Sequence, residues 1–328
     1  MVSVVVMAGY QSSEIEDYKR QLKYYHEKYT EKGYKALKEF KVRENGRLVK
    51  RPLIEFILRK VDDIFDVRDV VVVGDKARLE EKLGDQLTGS KKKYRLIDQN
   101  EPLTEELIQA FRLDPKRVAY NSICGNTIKG YAATEAYERG EHALFLAADS
   151  PKTQKNTIDE FITTASDLAV KENAALIYPL VSMRELPKWR KCFHRKYLFL
   201  VNDTSFKFDN SFTTWITKRE GFRISSMVYA NPLRINMNII NDLYSMRKMV
   251  SSEVRKRIRR LLEKTGHMDL WQKYLVEKKL TISETEKTVG ALLECAVKAL
   301  PIRDMGSTYD YDGTASEEDA ITKILQEE

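Results

Sequence analysis

The sequence predicts an α/β fold of three layers, in which helices cover both faces of a mixed, mostly parallel β-sheet. Two observations support this prediction. Short apolar, β-branched runs are typical of buried strands at Val2–Met7, Val67–Val73, Tyr94–Ile97 and Ala143–Ala147. Apolar residues recur at helical spacing in the intervening and following segments 52–62, 102–111, 127–137 and 156–170. Strands that alternate with helices of this length indicate βαβ units and therefore parallel strand pairing.

The pattern changes after residue 174, although 174–178 can still join the main sheet. Three later runs predict shorter, partly antiparallel strands at 197–201, 205–208 and 222–227. The next segment carries little strand signal and instead predicts helices at 239–249, 254–262, 270–277 and 285–299. The tail predicts a loop, a short strand and a final helix.

This pattern divides the chain into three parts. We expect an α/β body over residues 1–236 and a helical insertion or subdomain over residues 237–300. A C-terminal strand and helix over residues 301–328 are expected to return to the body. The insertion could close over a substrate or form a homodimer interface.

Composition excludes several classes of protein. With 328 residues, 42% hydrophobic and 32% charged, the chain can bury one large core or two smaller ones. Three widely spaced cysteines and four histidines predict neither a disulfide framework nor a Cys/His metal cluster. No apolar run approaches the roughly 20 residues that span a bilayer, and the opening run is too short for a signal-peptide core. We therefore expect a soluble, cytoplasmic protein with no membrane partner.

Three short segments hold candidates for phosphate or metal binding. The first strand continues into Ala8-Gly9, where a glycine lets backbone N–H groups approach a phosphate, although a simple turn after a core strand is the alternative. Lys35 lies in a Lys-Ala-Leu segment, upstream of Arg51-Pro52 at the start of the first clear helix. Asp149 follows an apolar strand, and open α/β sheets bind ligands at the carboxyl ends of their strands. An aspartate there is also a common helix N-cap.

These segments, in this order, resemble the sugar-nucleotidyltransferase superfamily, and in particular its MobA-like NTP transferases. That family opens with a strand and an LAGG loop, and continues with KAL, GKPLI, aDxP and DvDTPeDl elements. The matching segments are VVVMAG (4–9), KAL (35–37), RPLIEFIL (51–58), FLAADSP (145–151) and DYDGTASEEDA (310–320). The resemblance implies a nucleotidyltransferase-like fold of the GT-A type. It also implies transfer of an NMP group from an NTP to a phosphorylated acceptor, such as a sugar or polyol phosphate, with release of pyrophosphate.

The family also suggests roles for particular residues. Asp149 would hold Mg²⁺ (or Mn²⁺) together with Asp312, with Asp310 as the alternative because the register there is blurred. If 309–312 is a strand, both of these carboxylates project on one face. Lys35 would act as a fixed cation over the developing negative charge. No general base is required, because the attacking phosphate is already ionised near neutral pH.

The segment 121–131 stands where the family reads the nucleotide base, and it begins a helix. The resemblance therefore implies nucleotide-binding residues at Ala8, Gly9, Asn121, Gly125, Asn126 and Gly130. A glycine-rich helix start is the alternative explanation for the second half of this set. Asn231, before Pro232, is similar to a short GN element near the acceptor and is the expected acceptor-binding residue.

The chain departs from the family after Gly9. Tyr10 replaces a second glycine, and the arginine that wraps the triphosphate has no counterpart at a matching place. Residues 11–33 instead predict an amphipathic helix with a tyrosine stripe that either packs on the body or stacks on a base. Lys19 or Arg20 could replace the arginine.

Two other functional classes remain open at this stage. A metal-dependent glycosyltransferase shares the fold but would usually show an Asp-x-Asp pair, whereas this chain has Ala-Ala-Asp at 147–149. A non-catalytic nucleotide- or nucleic-acid-binding relative is favoured by the missing arginine and by the basic run at 255–260. That run lacks the aromatic residues of a base-stacking surface, and a solvated helix face is typical of such runs, so a nucleic-acid partner is not expected.

Overall fold

The structure is a computed structural model that describes residues 1–9, 34–182, 198–204, 219–246, 251–311 and 313–327. The strands are β1 (Val2–Met7), β2 (Glu39–Glu44), β3 (Arg47–Pro52), β4 (Val67–Gly74), β5 (Lys93–Asp98), β6 (Ala143–Ala147), β7 (Leu176–Ser182), β8 (Leu198–Val201), β9 (Arg219–Ile224), β10 (Met227–Ala230) and β11 (Val297–Ile302). The helices are α1 (Leu53–Asp62), α2 (Lys76–Thr88), α3 (Glu105–Ala110), α4 (Ile123–Ala132), α5 (Glu135–Arg139), α6 (Lys155–Lys171), α7 (Met237–Met246), α8 (Ser251–Lys264), α9 (Met268–Gln272), α10 (Ile282–Leu293) and α11 (Ala315–Glu327). Short 3₁₀ turns lie at Lys35–Leu37, Pro232–Arg234 and Met305–Thr308, and a π turn lies at Lys273–Glu277.

All described strands except the β2–β3 hairpin join one mixed sheet. β1 lies between β4 and β6 and is parallel to both, and β5 is parallel to β4. β10 is antiparallel between β6 and β7, β11 is parallel to β7, and β9 pairs with the second half of β7 and with β8. Seven of these nine strands therefore point the same way, which confirms the predicted mixed, mostly parallel sheet.

Apolar residues that alternate along the central strands divide the core between the two faces of the sheet. In β1, Val4 and Val6 pack on the face covered by α1, α2 and α6. Val5 packs on the opposite face, with α4, α5, α7 and α10. Because successive side chains of a strand point to opposite faces, a continuous valine run is suited to a strand covered on both sides. The three-layer arrangement predicted from the sequence is confirmed.

A third, smaller apolar cluster joins the β2–β3 hairpin to the last helix. Phe40 and Val42 of the hairpin pack with Tyr311 and with Ile321 and Leu325 of α11. The hairpin turns at Asn45-Gly46, where both residues have positive φ, 50° and 78°. That pair of left-handed residues suits a two-residue turn whose twist matches the strands. This hairpin was not predicted from the sequence.

Several boundaries differ from the predicted ones. The helix expected over 127–137 is two helices, because Thr134 caps the start of α5 by accepting a hydrogen bond from the Tyr137 amide. The helix expected over 285–299 ends at Leu293, where the next residue is left-handed, with a φ of 58°. Residues 297–302 then form β11 within the main sheet, so the predicted helical insertion over 237–300 is wrong for its last residues.

Three further predictions concern the second half of the chain. The strand expected over 222–227 is two antiparallel strands, β9 and β10. Residues 309–311 have no regular secondary structure, so the expected tail strand is wrong for those residues. The strand expected over 205–208 lies outside the described residues.

Helices α7 and α10 of the expected insertion contribute apolar residues to the core on one face of the sheet. In the described part of the chain, no helix combines the length and the apolar character that crossing a membrane requires.

Gly130 shows how closely α4 lies on the sheet. A Cβ atom there would come within 2.5 Å of Val5 Cγ1 and 2.7 Å of Val73 Cγ2. We expect Gly130→Ala to lower the free energy of unfolding by about 1–3 kcal/mol, the usual effect of overpacking a tight core. Chemical denaturation of the ligand-free protein measures this loss.

Gly84→Ala is the matched control, because a Cβ at that position in α2 would meet no atom within 4 Å. A glycine inside a helix is less stable than alanine, so this variant should gain about 0.5–1 kcal/mol. If Gly130→Ala were as stable as the unmodified chain, the packing explanation for Gly130 would be wrong.

Candidate active site

The carboxyl ends of β1, β4, β5 and β6 lie along one edge of the sheet, and most of the candidate residues follow them. The Ala8 amide donates to the Val73 carbonyl at 2.9 Å, and the Ala148 amide donates to the Met7 carbonyl at 3.1 Å. These bonds extend the strand pairing by one residue beyond β1 and β6. Gly9 and Asp149 therefore leave the sheet side by side, which is the position at which open α/β sheets bind ligands.

Lys35 connects two distant parts of the chain at this edge. Its Nζ atom lies 3.0 Å from Asp149 Oδ2 and 3.0 Å from the Tyr311 carbonyl oxygen. The Tyr311 amide in turn donates to the Asp149 carbonyl at 2.8 Å. The side chains of Lys35 and Asp149 are 26% and 24% exposed, so the pair is reachable from solvent. Three segments singled out in the sequence thus meet at one point.

Tyr34, which the sequence analysis missed, ties this lysine to the Gly9 loop. Its hydroxyl donates to the Ala8 carbonyl at 2.5 Å and accepts from the Asp75 amide at 3.2 Å. Burial raises the pKa of Tyr34 far above its ordinary range, so the hydroxyl keeps its proton. Gly74 makes room for the ring, because a Cβ there would lie 2.1 Å from the Tyr34 oxygen. The segment that carries Lys35 is therefore fixed to the strand ends.

Two buried carboxamides lie under Gly9, which is itself exposed. A Cβ on Gly9 would come within 2.5 Å of Asn126 Nδ2 and 3.3 Å of Gln99 Oε1. Asn126 is only 2% exposed, and its Oδ1 has no hydrogen-bond partner. Buried polar atoms are nearly always satisfied, so this unpaired oxygen is an exception beside the Gly9 loop. Gln99 was not predicted.

Lys129, also missed, holds the loop that carries Gln99. Its Nζ donates to the carbonyls of Asp98, Gln99 and Glu101 at 3.2, 2.5 and 2.9 Å. The residue is 6% exposed, and burial lowers the pKa of Lys129 to about 8, although the charges of Asp98 and Glu101 act in the opposite direction. No local sequence pattern signals this role, because all three acceptors are backbone oxygens.

The other predicted base-side residues are explained by packing at the start of α4. A Cβ on Gly125 would lie 2.3 Å from the Tyr120 carbonyl, and the Gly125 amide is capped by Ser122 at 3.0 Å. Asn121 is half-buried, and its carbonyl lies 3.5 Å from Asn126 Nδ2. Gly130 lies farther along α4, against the sheet. The structure thus brings Ala8, Gly9 and Asn126 together at the edge, with Asn121 next to Asn126.

Asn231 lies at the opposite edge of the sheet. It follows β10, whose last residue Ala230 pairs with Ala143 at the amino end of β6, whereas Asp149 follows the carboxyl end. Its side chain is buried, where Nδ2 donates to the Gly140 carbonyl at 2.7 Å and Oδ1 accepts from the Tyr131 hydroxyl at 3.2 Å. These bonds give Asn231 a structural role, so the expected acceptor role has no support from its position.

The metal-ligand candidates are described only in part. Asp310 is half-buried beside Tyr311, while Asp312 and the segment with Lys19 and Arg20 lie outside the described residues. Among the residues that are described, no group of three His, Cys, Asp or Glu side chains is placed to hold a metal. Magnesium on a nucleotide is typically held by one or two carboxylates together with phosphate oxygens. Asp149 offers one carboxylate at this edge, and its backbone carbonyl accepts a hydrogen bond from the amide of Tyr311, the residue after Asp310.

The mixed, mostly parallel sheet with helices on both faces is a nucleotidyltransferase-like α/β/α fold. Comparison with solved structures supports this fold. A hypothetical transferase from Thermus thermophilus matches with a TM-score of 0.54 and 16% identity, over 95% of this chain and 96% of its own. CMP:2-keto-3-deoxy-manno-octonic acid synthetase, in complex with CTP, matches with a TM-score of 0.51 and 11% identity, over 99% of this chain and 98% of its own. No protein-family model and no curated protein sequence matches the chain. At these identities the likeness establishes the fold.

The contact between Tyr34 and Gly74 is tested by a double-mutant cycle. Gly74→Ala places a methyl group against the Tyr34 hydroxyl and should destabilise by about 1–3 kcal/mol. Tyr34→Phe removes two hydrogen bonds and should cost about 1–2 kcal/mol. Because the second change removes the atom that the first one strikes, the double variant should lose clearly less than the sum, in equilibrium denaturation. Simple additivity would show that the two residues do not interact.

The lowered pKa of Lys129 gives a pH-dependent stability. Between about pH 8 and the ordinary lysine value of 10.5 the unfolded chain binds more protons than the folded one, so the contribution of Lys129 to unfolding free energy rises with pH. The slope approaches about 1.4 kcal/mol per pH unit and vanishes below pH 8. We expect Lys129→Met to lack this rise in denaturation curves taken from pH 7 to 10.5. Parallel curves for the two proteins would contradict the assignment.

Proposed function

We propose that the protein transfers a nucleotidyl group from an NTP to a phosphorylated acceptor and releases pyrophosphate. The observation that carries this proposal is the junction of Lys35, Asp149 and Tyr311 beside the Gly9 loop. A fixed cation and a carboxylate at the open edge of the sheet suit a reaction whose main demand is the stabilisation of phosphate charge. The fold, shared with a synthetase solved with CTP, is compatible with this chemistry.

In this proposal the base and sugar of the NTP lie over Gly9, close to the carboxamides of Asn126 and Gln99. Lys35 neutralises charge on the phosphates as the acceptor's phosphate oxygen attacks the α-phosphorus in line. The bond from the α-phosphorus to the bridging oxygen breaks, and pyrophosphate leaves with that electron pair. When bound, Mg²⁺ or Mn²⁺ held by Asp149 with Asp312 or Asp310 would neutralise α-phosphate charge.

Asp149→Asn is the central test. It retains the shape of the side chain but removes the charge, and we expect turnover to fall by about 10²-fold or more, as for the loss of one electrostatic stabiliser. The melting temperature without metal should change little, since the Lys35 pair is partly exposed. Pyrophosphate release in a screen of NTPs and phosphorylated acceptors with magnesium measures the effect. Asp319→Asn, an exposed site in α11, is the control and should keep full activity.

Near-full activity of Asp149→Asn, or simple unfolding of the variant, would contradict the proposal. A comparison of Asp310→Asn with Asp312→Asn identifies which of the two carboxylates acts together with Asp149. The loss should be larger for Asp312→Asn, and milder than for Asp149→Asn, because the resembling family accepts an amide there.

The ligand that stabilises the protein separates the alternatives. Magnesium-dependent stabilisation by an NTP in a thermal-shift screen supports nucleotidyl transfer. Stabilisation only by sugar nucleotides would instead indicate a glycosyltransferase. A salt-sensitive gel shift with RNA, without any response to NTP, would indicate a nucleic-acid-binding relative.

A further inference from the structure

A basic cleft lies beside the candidate active site. Described residues from the 35–37 turn and its flanks, the β2–β3 hairpin, α2 and α11 line an open cleft of about 1010 Å³. The cations that line it are Lys38, Lys41, Lys50, Arg78 and Lys82, and the carboxylates are Glu39, Glu81 and Glu318, so positive charge is in excess. Tyr34, which is bonded to the Gly9 loop, forms part of the same wall. The cleft and the Lys35–Asp149 pair therefore share one structural support.

Three of the five cations already have a carboxylate partner. Lys82 pairs with Glu39 at 2.5 Å, Lys38 with Glu318 at 3.2 Å, and Arg78 with Asp75 at 3.3 Å. Among the described residues, no carboxylate lies within ion-pair distance of Lys41 or Lys50. These two side chains form no ion pair with a described carboxylate, although the charge of Lys50 adds to the Lys82 hydrogen bond in lowering the pKa of Glu39.

The hairpin places this charge pair in an unfavourable arrangement. Lys41 and Lys50 are direct partners in the β2–β3 register, and both are exposed. Like charges directly opposite each other across two strands repel and destabilise the pairing. The neighbouring pair Val42 and Val49 faces the apolar cluster and supplies the hairpin's packing. Two like charges held side by side on one face of the hairpin suit an anionic ligand.

The walls of the cleft indicate the size and class of that ligand. Its aromatic residues, Tyr34 and Phe40, are buried and offer no exposed ring on which a nucleic-acid base could stack. The volume of the cleft is sufficient for a small molecule. We infer that Lys41 and Lys50 bind the phosphate groups of a small molecule in this cleft. Such a phosphate has two sources, the polyphosphate tail of the NTP or the phosphate of the acceptor, and this choice alone rests on the proposed function.

Calorimetric titration at low salt, with inorganic pyrophosphate and glycerol 3-phosphate as probes, tests the inference. The variant Lys41→Gln/Lys50→Gln should bind more weakly by roughly tenfold, the combined effect of two surface ion contacts. Lys93→Gln/Lys287→Gln removes two exposed lysines outside the cleft and should bind as the unmodified chain does. Loss restricted to pyrophosphate assigns the cleft to the polyphosphate tail, and loss restricted to glycerol 3-phosphate assigns it to the acceptor.

The melting temperature of the ligand-free variants is the second measurement. Lys41→Gln/Lys50→Gln should melt no lower than the unmodified chain, since a repulsion is removed. A lower melting temperature, equal affinity in both proteins, or no binding of either probe would overturn the inference.

Asp149→Asn separates this inference from the proposed function. That variant should lose turnover yet bind the probes as before. If the protein shows no transferase activity but binds the probes through Lys41 and Lys50, the inference about the cleft holds and only the proposed reaction is wrong.

Discussion

The Lys35 ammonium is the point on which the candidate site depends. It contacts Asp149 and the Tyr311 carbonyl, residues 114 and 276 positions away in the chain. One cation thus joins the first crossover, the end of a central strand and the tail of the chain. The position of Lys35 is fixed by the preceding residue, Tyr34, because the Tyr34 hydroxyl is hydrogen-bonded to the Ala8 carbonyl and the Asp75 amide. Through Tyr34 and Lys35, the same short turn therefore contacts both the Gly9 loop and Asp149.

The shared direction of the central strands positions this junction. Parallel β1, β4, β5 and β6 end at one edge, so the loops after them must share a small region. The buried ammonium of Lys129 then shapes the loop after β5 from inside, through three backbone oxygens. A rigid edge of this kind suits charge stabilisation, which requires dipoles and ions to be fixed before substrate binds.

Much of this arrangement could be predicted from the sequence, because its signals are local. The valine runs of β1 and β4 and the helical spacing of α1 placed the central elements correctly. The resemblance to a known family also implied that the Gly9, Lys35 and Asp149 segments belong together. The remainder depended on contacts that no local pattern shows. Tyr34 and Lys129 donate hydrogen bonds to backbone carbonyls, which every residue type has. A glycine in the sequence, such as Gly130, does not reveal whether it allows close approach of a ligand or of a valine side chain.

Two other failures have a more specific cause. The hairpin at 39–52 was missed although Asn45-Gly46 is a turn signal, because its flanking strands are rich in charged residues. Asn231 was assigned from a two-letter similarity, and only the antiparallel course of β10 shows that it lies at the other edge. Strand direction is a tertiary property, so a motif after a short strand does not reveal the edge to which it belongs.

The packing of Tyr311 against Phe40 has a consequence for biosynthesis. The two rings meet edge to face with centroids 5.4 Å apart, and Ile321 and Leu325 complete the cluster. A ribosome has made the Lys35–Asp149 pair long before it makes this last cluster. Closing a loop of that length is slow, because distant contacts must be formed before they stabilise anything. Tyr311 therefore joins the Lys35–Asp149 pair only after synthesis has passed β11, so the candidate site is completed late in biosynthesis.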